Sequence, residues 1–312
     1  MIFNAIETVL VILLLMLVGF FISWKGWYTK EHKSLMTKLV VNISIPAVTI
    51  NNFFNSFPRA MMLSSGKLLL IPLTTMLISF GLGIFLSSIL NIERSRRGSF
   101  IAMCTVSNSI FMGLPVSMGL FGEKSIPYVM FYYIANTIVF WGLCSPKIKE
   151  DGQGKVFNFK EFIKNIFSVP LITVLVCLAL VLLDFKPPNL ILNTAKYLGN
   201  MSTPLSLIFI GGIMYEIGLK NINIDISILF IMLMRFVLAP MLTFFVSRGA
   251  GLEEIATQVF TVQTAMPVMI QTVTVSETYN ADSQYVATAV TITTLVSLVF
   301  IPLYMILMPR LG

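Results

Sequence analysis

Ser107, Asn108 and Ser109 stand consecutively in the middle of an apolar stretch, and Gly113 and Pro115 follow close behind. Three polar side chains at mid-depth in such a segment are costly unless they face protein, water or a ligand. Glycine and proline discourage a continuous helix just beyond them. An interrupted helix leaves one half-helix ending in free carbonyls and another beginning with free N–H groups. The N–H end carries partial positive charge and suits a carboxylate. The Asn108 amide is placed to donate a further hydrogen bond to the same anion. A second stretch, Gln263-Thr264-Ala-Met-Pro267 followed by Gln271-Thr272, offers the same ingredients. For each stretch the competing explanation is hydrogen bonding between helices by small polar residues.

Asn42-x-Ser44-x-Pro46 recurs as Asn200-x-Ser202-x-Pro204, 158 residues later. Proline removes a backbone donor and its ring crowds the preceding turn. Two such positions at matching points of two half-chains point to a secondary transporter with its site between repeats. Polar clusters beside prolines mark four places for unwound backbone: Asn42 to Asn52, Ser107 to Pro115, Asn200 to Ser206, and Gln263 to Thr274. Arg235 is the basic residue near the middle of an apolar span. It either attracts an anion or locks a helix through Glu216 or backbone carbonyls. Asn51, Asn52 and Asn136 are weaker candidates, because single amides often bridge helices.

Several chemistries find no support. The single histidine, His32, lies between spans, so a histidine metal site or proton relay is not expected. No aspartate lies in the core of any span, no Walker A motif occurs, and no Ser/His/Asp or Cys/His set is available. No enzyme activity and no bound cofactor are expected. Cys104, Cys144 and Cys177 are widely spaced in apolar segments and read as small buried hydrophobes.

The elements that must position these residues are membrane spans. The chain has 312 residues, 56% hydrophobic and 11% charged, with a mean hydropathy of +0.88. That composition means an all-α polytopic membrane protein. Ten apolar spans are expected, at 5–23, 38–56, 67–90, 98–121, 125–144, 165–183, 190–215, 226–247, 254–276 and 284–308. The net charge of +7 is not a nucleic-acid signal, because the basic residues lie between spans. Assigned to alternating sides with the N-terminus outside, 13 basic residues fall inside and 7 outside. This places both termini outside and the hydrophilic 145–164 stretch in the cytoplasm of a multi-pass cell-membrane protein. The stretch divides the chain into a first five-helix repeat, 1–144, and a second, 165–312. An odd number of spans per half makes the two repeats inverted in topology.

With these residues in order, the chain resembles the auxin efflux carrier family, which includes plant PIN-type carriers and bacterial organic-acid permeases. The resemblance rests on Asn108-Ser-Ile-Phe-Met112-Gly113-Leu-Pro115 with Leu120-Phe-Gly122-Glu123 in the fourth span, and on Ile45-Pro46-Ala-Val-Thr49 in the second. Arg235-Phe-x3-Pro240 in the eighth and Ala265-Met-Pro267 with Glu277-Thr-Tyr279-Asn280 in the ninth complete it. The resemblance implies broken fourth and ninth helices that cross near mid-membrane, a mobile bundle moving in an elevator manner against a scaffold, and a homodimer. It also implies that Asn108 and Pro115 touch an anionic substrate, that Thr49 lines the pocket and that Glu123 lies beside it. The plant carriers resemble one another in an acidic third-span residue, which the stretch Lys67 to Leu90 lacks, and in a second ninth-span proline, where Thr272 stands here.

The function expected is secondary transport of a small carboxylate such as malate or malonate. Substrate contacts are expected from Ser107, Asn108, Ser109, Gly113, Pro115, Pro46, Thr49, Asn136, Gln263, Thr264, Pro267, Gln271 and Thr272, with Arg235 and Glu123 as candidates for charge or coupling. The coupling ion is left open between Na⁺ and H⁺. Two alternatives stand beside this reading: a sodium-coupled symporter of the bile-acid type using Gln263 and Thr264, and a membrane sensor that binds an anion without moving it.

Overall fold

The computed structural model describes residues 2–56, 65–153, 167, 169–217 and 225–311. Arg59, Lys220 and most of the expected 145–164 linker, with Lys155, Lys160, Glu161 and Lys164, lie outside the described residues. Every named element among the described residues is helical. Among the described residues six helices are long and apolar enough to cross a membrane: Ser34–Asn55, Gly66–Ile89, Glu123–Gly152, Asn189–Glu216, Ile226–Gly249 and Ser283–Tyr304. Leu13–Trp24, Ser109–Phe121 and Val169–Leu182 are shorter and apolar.

In chain order the α-helical segments are α1 (Ile2–Trp24), α2 (Lys30–Leu39), α3 (Ile45–Ser56), α4 (Ser65–Ile89), α5 (Arg94–Thr105), α6 (Leu114–Phe121), α7 (Ile126–Val139) and α8 (Ser145–Gly152). They continue as α9 (Val169–Leu182), α10 (Asn189–Asn200), α11 (Ser202–Ile217), α12 (Ile226–Leu233), α13 (Ala239–Gly249), α14 (Glu254–Thr264), α15 (Gln271–Thr278) and α16 (Ser283–Leu311).

Among the described residues four π turns interrupt this series, at Val40–Ser44, Ser109–Gly113, Phe140–Cys144 and Met234–Leu238. Each ends two residues before a proline: Pro46, Pro115, Pro146 and Pro240. A proline in a helix removes one ladder donor and clashes with the carbonyl four residues back. Widening the preceding turn relieves the clash without unwinding the helix. This corrects one expectation: the Asn42-x-Ser44-x-Pro46 segment is bulged, not unwound. Its counterpart is interrupted only at Met201, between α10 and α11. The same device carries the helix of α7 and α8 through Pro146 to Gly152, well past Ser145.

The stretch Glu123–Gly152 forms the hub. It is 78% buried, against 39–50% for the other five long helices, although its mean hydropathy of 1.3 is below the 2.2 of Gly66–Ile89 and Ile226–Gly249, so packing and not apolarity sets its place. Around it α4 packs on α5 and α7, α5 on α8, α13 on α14, and α16 on α15. A second group is formed by α1 on α11 and by α9 and α10 on α3. Small residues set the α1–α11 spacing, since a β-carbon on Gly211 would lie 1.8 Å from the Met16 carbonyl oxygen. Leu14, Leu17 and Phe21 of α1, Leu70, Leu77 and Phe85 of α4, and Leu190 and Tyr197 of α10 remain exposed.

Candidate functional site

α5 stops at Thr105 because Val106 turns to extended backbone, φ −104° and ψ 150°. α14 stops at Thr264, and the chain stays non-helical to Ile270, with Pro267 at its centre. The two loosened pieces pass each other antiparallel. Ser107 bridges Val268, and the Asn108 N–H donates to the Pro267 carbonyl at 2.9 Å. The first interruption therefore lies at Val106 to Asn108, at the start of the stretch Ser107 to Pro115 and ahead of Gly113 and Pro115. Pro115 lies inside the half-helix Ser109–Phe121, where the widened turn Ser109–Gly113 before it accommodates the ring.

Freed backbone deep in a membrane protein must find partners in the protein. Arg235 and Asn136 supply most of them. Arg235, fully buried, donates to the Met266 carbonyl from Nε at 3.2 Å and from one terminal nitrogen at 3.1 Å, to the Thr105 carbonyl at 3.3 Å, and to the Thr264 carbonyl. One guanidinium thus ties together the negative ends of α5 and α14. Of the two roles weighed for Arg235, its contacts are those of the lock, made through carbonyls and not Glu216. The Asn136 side chain accepts from the Ser107 N–H at 3.2 Å and donates to the Ser107 carbonyl at 3.0 Å, replacing a strand partner. Ser107 Oγ lies 3.0 Å from Tyr132 Oη, and the Val268 N–H donates to Thr293 Oγ1 at 3.2 Å.

The other two half-helix ends face a cavity of about 380 Å³. Its polar wall includes Lys38, Asn42, Ser107, Asn108, Ser109 and Gln271, and its apolar wall includes Ile45, Phe111, Tyr133, Trp141, Phe209 and Ile270. The π turn leading into α6 begins at Ser109, and α15 begins at Gln271, so both amino-terminal ends open on the same space. Their first N–H groups have no acceptor within the helix, and those of Ser109, Thr272 and Val273 turn back to the carbonyls of Ser107, Met269 and Ile270. Among the described residues none bonds to the side-chain amide of Asn108 or Gln271, although Asn108 is only 3% exposed. Among the described residues, Lys38 is the one charged residue on the cavity wall.

The expected site residues separate accordingly. Ser107, Asn108, Ser109 and Gln271 line the cavity, and Asn136 and Pro267 sit directly behind, bonded to them. Thr49 is buried away from it, donating to the Ile45 carbonyl at 2.9 Å, and Pro46, Pro115 and Thr272 are buried in packing. Thr264 spends its hydroxyl on the Phe260 carbonyl at 2.8 Å, and Glu123 is exposed in a short turn before α7. Lys38 and Trp141 are cavity residues that the sequence reading did not select, and Asn42 and Thr274 stood in its polar clusters without being named as substrate contacts. A signal existed: Lys38, Asn42 and Ile45 recur at helical spacing, so they share one face with a motif already singled out.

Gln263 and Gly113 pack against each other behind the wall. Gln263 Nε2 donates to Ser117 Oγ at 3.0 Å, and a β-carbon on Gly113 would lie 2.2 Å from Gln263 Oε1. Gly113→Ala should therefore destabilise the protein by about 1–3 kcal/mol, read as a lowered unfolding midpoint. Adding Gln263→Ala should recover part of that loss; a further fall in the double variant would contradict the contact.

A family model described as membrane transport protein matches residues 4–305. An uncharacterized transporter of Methanocaldococcus jannaschii is 26% identical over 306 residues, which cover 96% of this chain and 97% of the relative. A second uncharacterized transporter, from Methanothermobacter thermautotrophicus, is 24% identical over 311 residues, 97% of this chain and 98% of the relative.

Proposed function

Because this chain belongs to the membrane transport protein family, the auxin efflux carrier family, whose members are membrane transporters, we propose that it is a secondary transporter of small organic anions working by elevator-type alternating access. The observation that carries the reading is the convergence of two half-helix amino-terminal ends, Asn108, Gln271 and Lys38 on one cavity. Such ends bind anions through N–H groups and dipole together. Asn108 donates to the carboxylate, Lys38 neutralises it, and the Arg235 and Asn136 bonds keep the crossing open while the site is empty.

The architecture proposed is ten spans in two inverted five-helix repeats. Support comes from the ends of the molecule. Arg96 meets Asp282 at 2.7 Å and Asp225 at 3.8 Å, and Asp151 accepts from the Gly98 N–H at 2.7 Å, which gathers four interhelical segments at one end. Tyr128 donates to Glu253 at 2.9 Å and Lys67 to the Ala250 carbonyl at 3.4 Å, which gathers others at the opposite end. With both termini outside and the central loop cytoplasmic, Lys38, Trp141 and Pro170 put the mouth of the cavity on the cytoplasmic side. The α1, α3, α9, α10 and α11 group then serves as the scaffold and homodimer contact, and the bundle around α7 as the moving part.

Within carboxylates, two helix ends and Lys38 suit the paired charges of malate or malonate, whereas Phe111, Tyr133, Trp141 and Phe209 favour one carboxylate on an apolar body. A thermal-shift screen of dicarboxylates and aromatic monocarboxylates separates these, since bound ligand stabilises by mass action. Na⁺ coupling is a second reading, favoured by the buried Gln263 Oε1 and Thr272 Oγ1, neither of which has a described partner. Counterflow that runs equally with and without Na⁺ would remove it. The decisive test is uptake by purified protein in liposomes. Asn108→Ala and Lys38→Gln should each weaken apparent affinity roughly tenfold, as loss of a charge-assisted hydrogen bond does, with little change in the unfolding midpoint. Wild-type uptake by both variants would remove the site from this cavity. Binding without accumulation would make the protein a sensor.

A further inference from the structure

A second cavity, of about 440 Å³, lies where α5 begins beside α8 and the end of α4, and it shares no wall residue with the crossing cavity. Arg94, Arg97 and Lys147 line it together with Glu150, Asp151, Ile84 and Ile101. The acids are already engaged. Asp151 accepts from the N–H groups of Gly98 and Ser99 at 2.7 and 2.8 Å and from the Ser99 hydroxyl at 3.0 Å. Glu150 pairs with Lys147 at 2.9 Å. The arginines are not balanced in this way. Arg97 donates only to hydroxyls, Ser87 at 3.2 Å and Ser88 at 2.6 Å, and among the described residues Arg94 has no partner. Two guanidinium groups therefore line one cavity, and among the described residues neither is paired with a carboxylate.

The guanidinium fork matches phosphate oxygens in pairs and holds them with charge-assisted bonds. The apolar side of the cavity continues outward. Ile84 is 38% exposed, and Phe85 and Ile89 on the same helix end are 60% and 58% exposed. An occupant that satisfies both sides carries a phosphate on an apolar tail. We infer that this cavity is a binding site for the phosphate headgroup of an anionic membrane lipid, with its acyl chains laid along the end of α4. Basic pockets between membrane helices bind such headgroups. The site rests on its own residues and stands or falls apart from the transport reading. A soluble phosphate ester offers the same recognition group without the tail.

The test uses the full-length protein in detergent, titrated with phosphatidylglycerol or phosphatidylcholine and read by native mass spectrometry and thermal unfolding. Phosphatidylglycerol should bind in preference to phosphatidylcholine. Arg94→Gln and Arg97→Gln should each weaken that binding roughly tenfold. Lys196→Gln, an exposed cation on α10, should leave it unchanged. Arg97 also ties α4 to α5, so a Ser87→Ala/Ser88→Ala variant reports the structural part: it should lose stability and keep the lipid. Arg94→Gln breaks no described contact and carries the test if Arg97→Gln fails to fold. Wild-type retention of phosphatidylglycerol by Arg94→Gln would overturn the inference. Displacement of the lipid by equimolar glycerol phosphate would overturn the assignment to a lipid in favour of a soluble phosphate.

Discussion

Arg235→Leu should destabilise the protein by about 3–5 kcal/mol, the scale seen when one partner of a buried charged contact is removed, and should abolish uptake. The guanidinium is fully buried and serves three carbonyls, those of Thr105, Thr264 and Met266. Leucine fills part of the space and satisfies none of them, and each buried acceptor left bare costs about 1–3 kcal/mol. The carbonyls belong to two different half-helices, so the loss falls on the crossing itself. Arg235→Lys keeps the charge but not the planar fork. One ammonium cannot hold three carbonyls at the same geometry, so an intermediate loss is expected. Thermal unfolding in detergent measures both. An unchanged midpoint with a changed apparent affinity would mean that Arg235 acts on the anion and not on the crossing.

Asn136→Leu should cost about 2–5 kcal/mol, because it strips partners from the N–H and the carbonyl of Ser107 at once. Both groups are in extended backbone with no helix to return to. The Ser107 segment can then collapse onto the cavity, so apparent substrate affinity should fall together with stability. Asn136→Asp separates the two bonds. The carboxylate still accepts from the Ser107 N–H but cannot donate to its carbonyl, and it places a negative charge behind an anion site. Its uptake should be lower than that of Asn136→Leu in whatever fraction folds. Equal affinity in wild type and Asn136→Leu would sever the link between the Ser107 backbone and the cavity.

Much of the local structure could be read without coordinates. Hydropathy located the apolar helices, since backbone in lipid must satisfy itself within each segment. Ser107 to Ser109 and the residues around Pro267 announced interruptions, because polar side chains, glycine and proline depart from what a continuous apolar helix tolerates. The proline reading around Pro46 erred for a physical reason. At Pro46, Pro115 and Pro240 a widened turn absorbs the missing donor, so a proline alone does not say whether a helix breaks or bulges.

Which residues share a space was decided by packing. Lys38 read as one more basic residue near a span end, and only the fold brings it to the same cavity as Asn108 and Gln271. Thr49 and Thr272 looked as polar as Ser109, yet both are turned into the packing between helices. Arg235 could be called intramembrane from the sequence, but its partners are main-chain carbonyls, which every residue has and no side-chain pattern reveals. The amino-acid sequence by itself determined that this chain is a bundle of apolar helices with four candidate weak points. The tertiary structure decided that two of them, around Ser107 and Pro267, cross and present two amino-terminal ends to one cavity, because helix direction and backbone hydrogen bonds between distant segments are set by contacts that no local stretch contains.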